Sequence, residues 1–392
     1  MTLLEYAKSI FNEMKQIRRQ IHQHPESGFV LPNTTALIKS VLDKYNISYQ
    51  NLADTYAIVG SLGDSKKGKT VLLRADMDAV SVDEQSGLEF ASTNGKAHLC
   101  GHDIHTTSLI ATLIMLKAHE HELNGEVKFL FQPAEETLNG GKLMLEKGVL
   151  SSKIDAGLAL HMWPNGEKLG IIVQKSQVLA SALNFRIEIE GKGAHGAMSF
   201  NGIDPVIVAS QIISAFNIMV AHELPSNKSA SVSVGLINTP GGGVNVIPPK
   251  VILEGTARSL FNESALHVQK RLPEIANYIA QAYRAKANFE VLANVPALVN
   301  TPEMSELVFN SAQSVLGNNY DLRYSEPELA SEDYAYLASH LPQSCYFFVS
   351  CPLPNKSGQI YQVHNPQVLF NEEALIIGPA TLAQAAIDFL AK

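Results

Sequence analysis

Three short apolar runs in the first half of the chain each stop at a cluster of polar, chemically capable residues. VLL at 71–73 runs into RADMD, VKFLF at 127–131 into QPAEE, and AGLAL at 156–160 into HMWP. A fourth run, CYFFVS at 345–350, is followed a loop later by His364. Apolar runs that are continuous rather than alternating describe strands covered on both faces, and helical patterns such as 103–119 and GGKLMLEKG lie between them. The expected fold is therefore α/β, with a largely parallel central sheet flanked by helices. Ligands of such sheets gather beyond the carboxyl ends of the strands. Asp76, Asp78, Glu135, Glu136 and His161 all fall there.

The middle of the chain has a different pattern. LNFRIEIEG at 183–191 alternates as a strand with one open face does, followed by a helix pattern near 204–222, strands near 230–237 and 250–258, a helix near 263–286 and a strand near 288–293. This β-α-β-β-α-β order is that of a ferredoxin-like α+β module. At 392 residues the chain is also longer than one hydrophobic core usually serves. The expectation is a catalytic domain formed by 1–180 and 296–392, with residues 181–295 as an inserted domain.

Charge and composition remove several function classes. The net charge is −8, and no basic run or aromatic-and-basic stripe suggests nucleic acid as a partner. The N-terminal MTLLEYAKSIFNEMKQIRRQ carries Glu5 and Lys8 and reads as an amphipathic helix rather than a signal peptide. No apolar run is expected to reach the length that crosses a bilayer, so no membrane is expected. Three cysteines, Cys100, Cys345 and Cys351, are too few for a disulfide framework and fit a reducing, cytoplasmic setting.

The most concentrated chemistry is HLCGHDIHT at 98–106, at the start of an apolar helix. Asp103 alone would serve as a helix cap, and one histidine alone would mean little. Together with Glu136, His161 and His364, however, Cys100 and His102 make a donor set of one thiol, three imidazoles and one carboxylate. That set suits Zn²⁺, Co²⁺, Ni²⁺ or Mn²⁺ rather than Mg²⁺ or Ca²⁺. Five protein donors exceed one tetrahedral site and suit two divalent metal ions sharing a bridging group. Such a pair lowers the pKa of a water and polarises a carbonyl, the requirements of hydrolysis. Glu135 points away from its neighbour Glu136 in an extended segment and is the candidate general base. Taken alone, PAEE reads rather as two solvated glutamates opening a helix, and only the other strand-end clusters turn it toward a site. Asp76 and Asp78 present alternate positions, from which one can orient a ligating histidine or pair with Arg74.

Read together, RRQIHQHPESGF (18–29), LLRADMDAV (72–80), HLCGHDIHTTSL (98–109), FQPAEE (131–136), LHMWP (160–164), GKGAHGAMS (191–199), NVIP (245–248), GTARS (255–259), ASEDYAYL (330–337) and VHNP (363–366) resemble the M20 family of metallopeptidases and amidohydrolases. The likeness is to its aminoacylase, hippurate hydrolase and auxin-conjugate hydrolase branch, nearly end to end. The resemblance implies a binuclear centre held by Cys100, His102, Glu136, His161 and His364, with Glu135 as general base. It alone supplies His364, since a histidine before Asn-Pro reads by itself as a loop residue. It also implies that the inserted domain is a lid: His195 stabilises the oxyanion, Asn245 and Arg258 hold the substrate carboxylate, and Asp78 supports a ligand from behind. A guanidinium suits that task because it grips a carboxylate bidentately. The implied substrate is an N-acyl amino acid or short peptide; the lid of relatives often makes dimers, and a homodimer through it and a monomer both stay open.

Two positions depart from the family pattern. Val80-Ser81 stands where Leu-Pro is common, and Ser199 where a proline usually follows the lid histidine. Neither is a proposed ligand. His22 and His24 read as a helix end followed by a proline stop, without a metal role. Ser331-Glu332-Asp333 reads as a helix N-terminus, Trp163 as packing on the site wall, and Cys345 and Cys351 as buried thiols. A dipeptidase, an N-acetyl-diaminopimelate deacetylase, a non-catalytic metal or peptide binder, and a redox role for Cys100 stay open on these residues alone.

Overall fold

The four apolar runs become neighbouring parallel strands, β1 (Lys69–Asp76), β2 (Gly125–Gln132), β3 (Ala156–Trp163) and β4 (Ser344–Ser350), in the order β2-β1-β3-β4. In the computed structural model, which describes residues 1–392, they form the middle of an eight-stranded sheet. Their side chains are buried almost without interruption, which is why the sequence shows runs rather than alternation. The parallel pattern holds in the centre and breaks at the sides. Ile58–Gly63 runs antiparallel to β2, and Gly170–Val173 antiparallel to β4.

Helices α1 (Leu3–Gln23), α2 (His102–Ala118) and α3 (Ala374–Leu390) pack against one another, and α2 and α3 also pack on the sheet. From His102 to Leu116 every residue of α2 is buried, so it is a core helix, covered around its whole circumference. The side chain of α1 capping residue Thr2 and that of Glu5 satisfy each other's backbone N–H groups in a capping box.

The chain divides into two compact units. One comprises 1–176, 299–326 and 333–392; the other comprises 177–298 and 327–332. In the second, Ala182–Glu190, Ser231–Asn238, Lys250–Arg258 and Lys286–Val295 form one antiparallel sheet, with Pro205–Glu223 and Asn262–Ala282 as its helices in β-α-β-β-α-β order. Phe185, Ile187, Ile212, Phe216, Leu253 and Leu272 build its core. Residues 327–332, in the flank by the sequence reading, join this unit. Glu328 N–H bonds to Val178 O and Ala180 N–H to Ala330 O.

Two details correct the sequence reading. Helix Pro205–Glu223 is long and apolar enough by composition to cross a bilayer, contrary to the expectation that no such run exists; its Val208, Ile212, Phe216 and Met219 face the protein core instead. The helix expected at 263–286 ends at Ala282 because Arg284 turns left-handed (φ 62°), letting Ala285 N–H bond back to Ala280 O.

Candidate metal centre

Residue by residue, the carboxyl ends of β1, β2 and β3 deliver the donors. β3 carries His161 near its end, and β2 leads through Pro133 into a single 3₁₀ turn at Glu135–Thr137. That turn is flanked by left-handed Ala134 (φ 63°) and Leu138 (φ 58°), and His364 is left-handed too (φ 66°). Left-handed non-glycine residues are uncommon and persist where surrounding structure holds them. Three such residues here mark a backbone shaped to aim side chains. Between Cys100 and His102, Gly101 adopts φ 89°, and a Cβ there would meet Met162 Cβ at 3.0 Å. Only glycine suits this turn, which sends Cys100 and His102 to the same side.

Donor atoms of Cys100, His102 and His161 lie within 4.8 Å of one another, as do those of Cys100, Glu136 and His364, and those of His102, Glu135 and Glu136. Cys100 Sγ is 3.3 Å from His161 Nε2, His364 Nε2 is 3.3 Å from Glu136 Oε2, and His102 Nε2 is 3.9 Å from Glu136 Oε1. Ligands sharing a tetrahedral cation at 2.0–2.3 Å stand roughly 3.3–3.8 Å apart. His102 Nε2 and Glu136 Oε1 are also buried without any hydrogen-bond partner. Buried polar atoms normally find one, so a cation at their common focus fits both. The residues therefore suit the donor set expected for borderline divalent ions.

Hydrogen bonds on the far side of each ring aim it. His102 Nδ1–H donates to the Asp78 backbone carbonyl (2.8 Å), and His161 Nδ1–H to Met162 O (2.8 Å), which turns both Nε2 atoms inward. The Asp78 carboxylate accepts the backbone N–H groups of Glu135 (2.9 Å) and Glu136 (3.2 Å). Glu135 Oε2 lies 3.9 Å from His102 Nε2, beside the cluster. The loop bearing His364 is tied down by His364 N–H to Leu99 O at 2.9 Å.

Charge states follow from burial and neighbours. Burial, helped by Glu136, pushes the Cys100 thiol up to about 12. Burial likewise holds His161 well below the usual histidine range, as a neutral imidazole. For His102 burial works against the imidazolium, but the Asp76 carboxylate prevails and the group sits well above that range. Burial also works against the Glu136 carboxylate, and the His364 bond outweighs it, lowering the value.

Asp76 serves another histidine. Its Oδ1 is 2.7 Å from His105 Nδ1, whose Nε2 in turn accepts Met162 N–H at 2.8 Å, so His105 has both nitrogens engaged and braces β1 against β3. Asp76 Oδ2 pairs with Arg74 at 2.7 Å, and Arg74 reaches Asp333 at 2.9 Å. Asp333 also accepts from Gln132 and Gly141 N–H, rather than capping the helix Tyr334–Ala338 with its side chain. Asp103 is not a cap either. It lies in the first turn of α2, buried, and takes Arg18 (2.6 Å) and His22 (2.8 Å). Sequence reasoning missed this role of His22; the one available signal was its place in RRQIHQHPE. Trp163 packs on Phe348 (ring centroids 4.9 Å apart), and all three cysteines are free and buried.

In the second unit, His195 and Asn245 lie side by side. The short strands Ala194–His195 and Val246–Ile247 pair, and Gly196 N–H bonds to Asn245 O at 2.8 Å. His195 is exposed, and its Nδ1 accepts Ala197 N–H (3.1 Å), which leaves the proton on Nε2 in the neutral ring. Arg258 stands apart from them at the end of Lys250–Arg258, half-buried, bonded to Ser331 Oγ.

Comparison with known proteins agrees with this chemistry. Residues 72–388 match the model of peptidase family M20/M25/M40. An N-acetyl-L-cysteine deacetylase of Bacillus subtilis (strain 168) is 35% identical over 372 residues, covering 94% of this chain and 86% of the relative. An IAA-amino acid hydrolase of Arabidopsis thaliana is 33% identical over 400 residues, covering 99% and 88%. The solved structure of the Bacillus subtilis YXEP protein, described as a dinuclear metal binding peptidase from M20 family, superposes with a TM-score of 0.82 at 30% identity, covering 98% of this chain and 99% of that one. The chain belongs to peptidase family M20/M25/M40, as an amide-hydrolysing enzyme.

Proposed function

We propose that this protein hydrolyses N-acyl amino acids to a carboxylate and a free amino acid. Cys100, His102, Glu136, His161 and His364 would hold two divalent cations, with Zn²⁺, Mn²⁺, Co²⁺ and Ni²⁺ as the suitable ions. The observation that carries this reading is the convergence of five donors, two of them buried and otherwise unpartnered, beside the carboxylate of Glu135. The substrate class is supported by the relatives named as a deacetylase and an amino acid hydrolase.

Bound cations supply positive charge that polarises an amide carbonyl and acidifies a water molecule. Glu135 takes the proton of the attacking water and returns it to the leaving amine. His195 donates from Nε2 to the developing oxyanion when the second unit acts as a lid, and Asn245 or Arg258 grips the substrate carboxylate. Asp78 supports the ligands by holding the ring of His102 and the backbone of Glu135 and Glu136.

The outer strand Ser231–Asn238 has one sheet partner only, and Leu236 and Ile237 on it are exposed, as are Ile207 and Ile218 on the neighbouring helix. This apolar edge suits a second copy of the chain. A cytoplasmic setting suits three free thiols.

Glu135→Gln tests the mechanism. Turnover should fall by about 10²–10⁴-fold while both metals stay bound. Substantial activity in that variant would remove Glu135 from its role. A panel of acetyl-, benzoyl- and indoleacetyl-amino acids against dipeptides tests the substrate class, since preference for dipeptides would make the enzyme a dipeptidase. Light scattering of the purified protein reads the dimer.

A further inference from the structure

The segment RRQIHQHPE lies outside the donor set, yet its bonds end on Asp103, next to His102, and on Ala79, next to Asp78. We propose that Arg18–Glu26 is a clamp that sets the metal-binding loops, with His22 as its positioning residue; this rests on the metal-centre reading above.

The first arm acts on the start of α2. Asp103, next in sequence to His102 and fully buried, takes Arg18 Nε at 2.6 Å and His22 Nδ1 at 2.8 Å on the same oxygen. The other ring nitrogen of His22 lies 2.9 Å from Glu84 Oε1. A carboxylate thus lies at each ring nitrogen and favours the protonated ring, while Arg18 Nη2 also stands 3.3 Å from Nδ1. Burial and Arg18 oppose that charge, and Asp103 and Glu84 overcome them, raising the group above its ordinary value. Glu84 also accepts Ser92 N–H (2.7 Å), so the His22 ring ties the 84–92 loop to the helix carrying His102.

The second arm acts on the loop after β1. Glu26 O accepts Ala79 N–H at 2.8 Å, directly after Asp78, and Pro25 O accepts Asn94 Nδ2 at 3.1 Å. The Glu26 carboxylate is itself held by Asn33 and Thr34 N–H groups. Asp78 in turn orients His102, Glu135 and Glu136. One short segment thus braces the site from two directions. A buried ion network of this kind adds little net stability compared with apolar packing, so positioning is its better-supported use. His24, two residues on, is exposed and serves as a built-in control.

The test uses full-length His22→Asn, Glu84→Gln, His24→Asn and Met14→Ala, the last a buried α1 core residue outside the network. Each is titrated with Co²⁺, reading affinity and the thiolate-to-cobalt absorption band, and each metal-free form is followed by hydrogen exchange over 98–106. The clamp predicts that His22→Asn weakens Co²⁺ binding about 10–100-fold, alters the band and speeds exchange. Glu84→Gln should do the same to a smaller degree, and it decides the matter if His22→Asn does not fold. His24→Asn should match wild type, and Met14→Ala should melt earlier with an unchanged band and affinity. Wild-type affinity, band and exchange in both His22→Asn and Glu84→Gln would overturn the clamp. Wild-type protein that binds no Co²⁺ through its thiol would overturn the metal centre instead, and loop exchange alone would then decide the clamp.

Discussion

Asp78 and Glu135 are joined side chain to backbone: the Asp78 carboxylate accepts the Glu135 N–H at 2.9 Å, while the carbonyl of Asp78 accepts the Nδ1 proton of His102 at 2.8 Å. One residue therefore sets both the His102 ring and the turn carrying Glu135. Burial raises the Asp78 carboxyl above its ordinary value, so its ionised form depends on the N–H groups and the His102 ring around it.

Asp78→Asn keeps the shape but turns one acceptor into a donor facing a backbone N–H. Metal affinity and kcat should each drop about 10–100-fold, with the fold retained by circular dichroism. Wild-type values in titration and turnover would show that the turn at Glu135 is held by other contacts.

Metal binding should tighten as pH rises. The Cys100 thiol, pushed up to about 12 by burial and Glu136, must lose its proton to become a ligand, and so must the His102 imidazolium. Lower pH favours the protonated donors and weakens binding; higher pH removes that competition. The apparent affinity should rise about tenfold per pH unit for each proton displaced between roughly pH 6 and 9. Calorimetry in buffers of different ionisation enthalpy counts those protons. An affinity that stays flat across the range excludes the thiol as a ligand.

Gly101→Ala should damage the centre through its backbone. The residue sits at φ 89°, and the added Cβ would press on Met162 Cβ at 3.0 Å and Phe370 at 3.4 Å. The left-handed conformation alone costs about 1–2 kcal/mol. A lowered melting temperature together with weakened metal binding is expected. A variant with unchanged melting and metal affinity would mean that the Cys100–His102 turn tolerates a side chain.

The legible parts of this fold are those carried by neighbours in sequence. β1 to β4 were readable because strands buried on both faces must be continuously apolar, and Cys100, His102, Glu135, Glu136 and His161 because each sits within a residue or a short turn of such a strand or helix end. Other features had no local mark. Arg284 ends its helix where a glycine would have announced the stop. Nothing near Asp103 distinguishes a cap from a buried partner of Arg18 and His22, which lie some eighty positions away.

Sequence by itself determined the α/β class, the residue chemistry of a divalent-cation site and the alternating module in the middle of the chain, since these depend on periodicity and side-chain type. Tertiary structure decided which histidines face inward. His161 turns its Nε2 toward Cys100 Sγ, whereas His105 has one nitrogen on Asp76 and the other on Met162 N–H, and His364 approaches Glu136 because its loop is bonded to Leu99. Those choices are made by hydrogen bonds between segments far apart in the chain, whose energies leave no trace in local spacing.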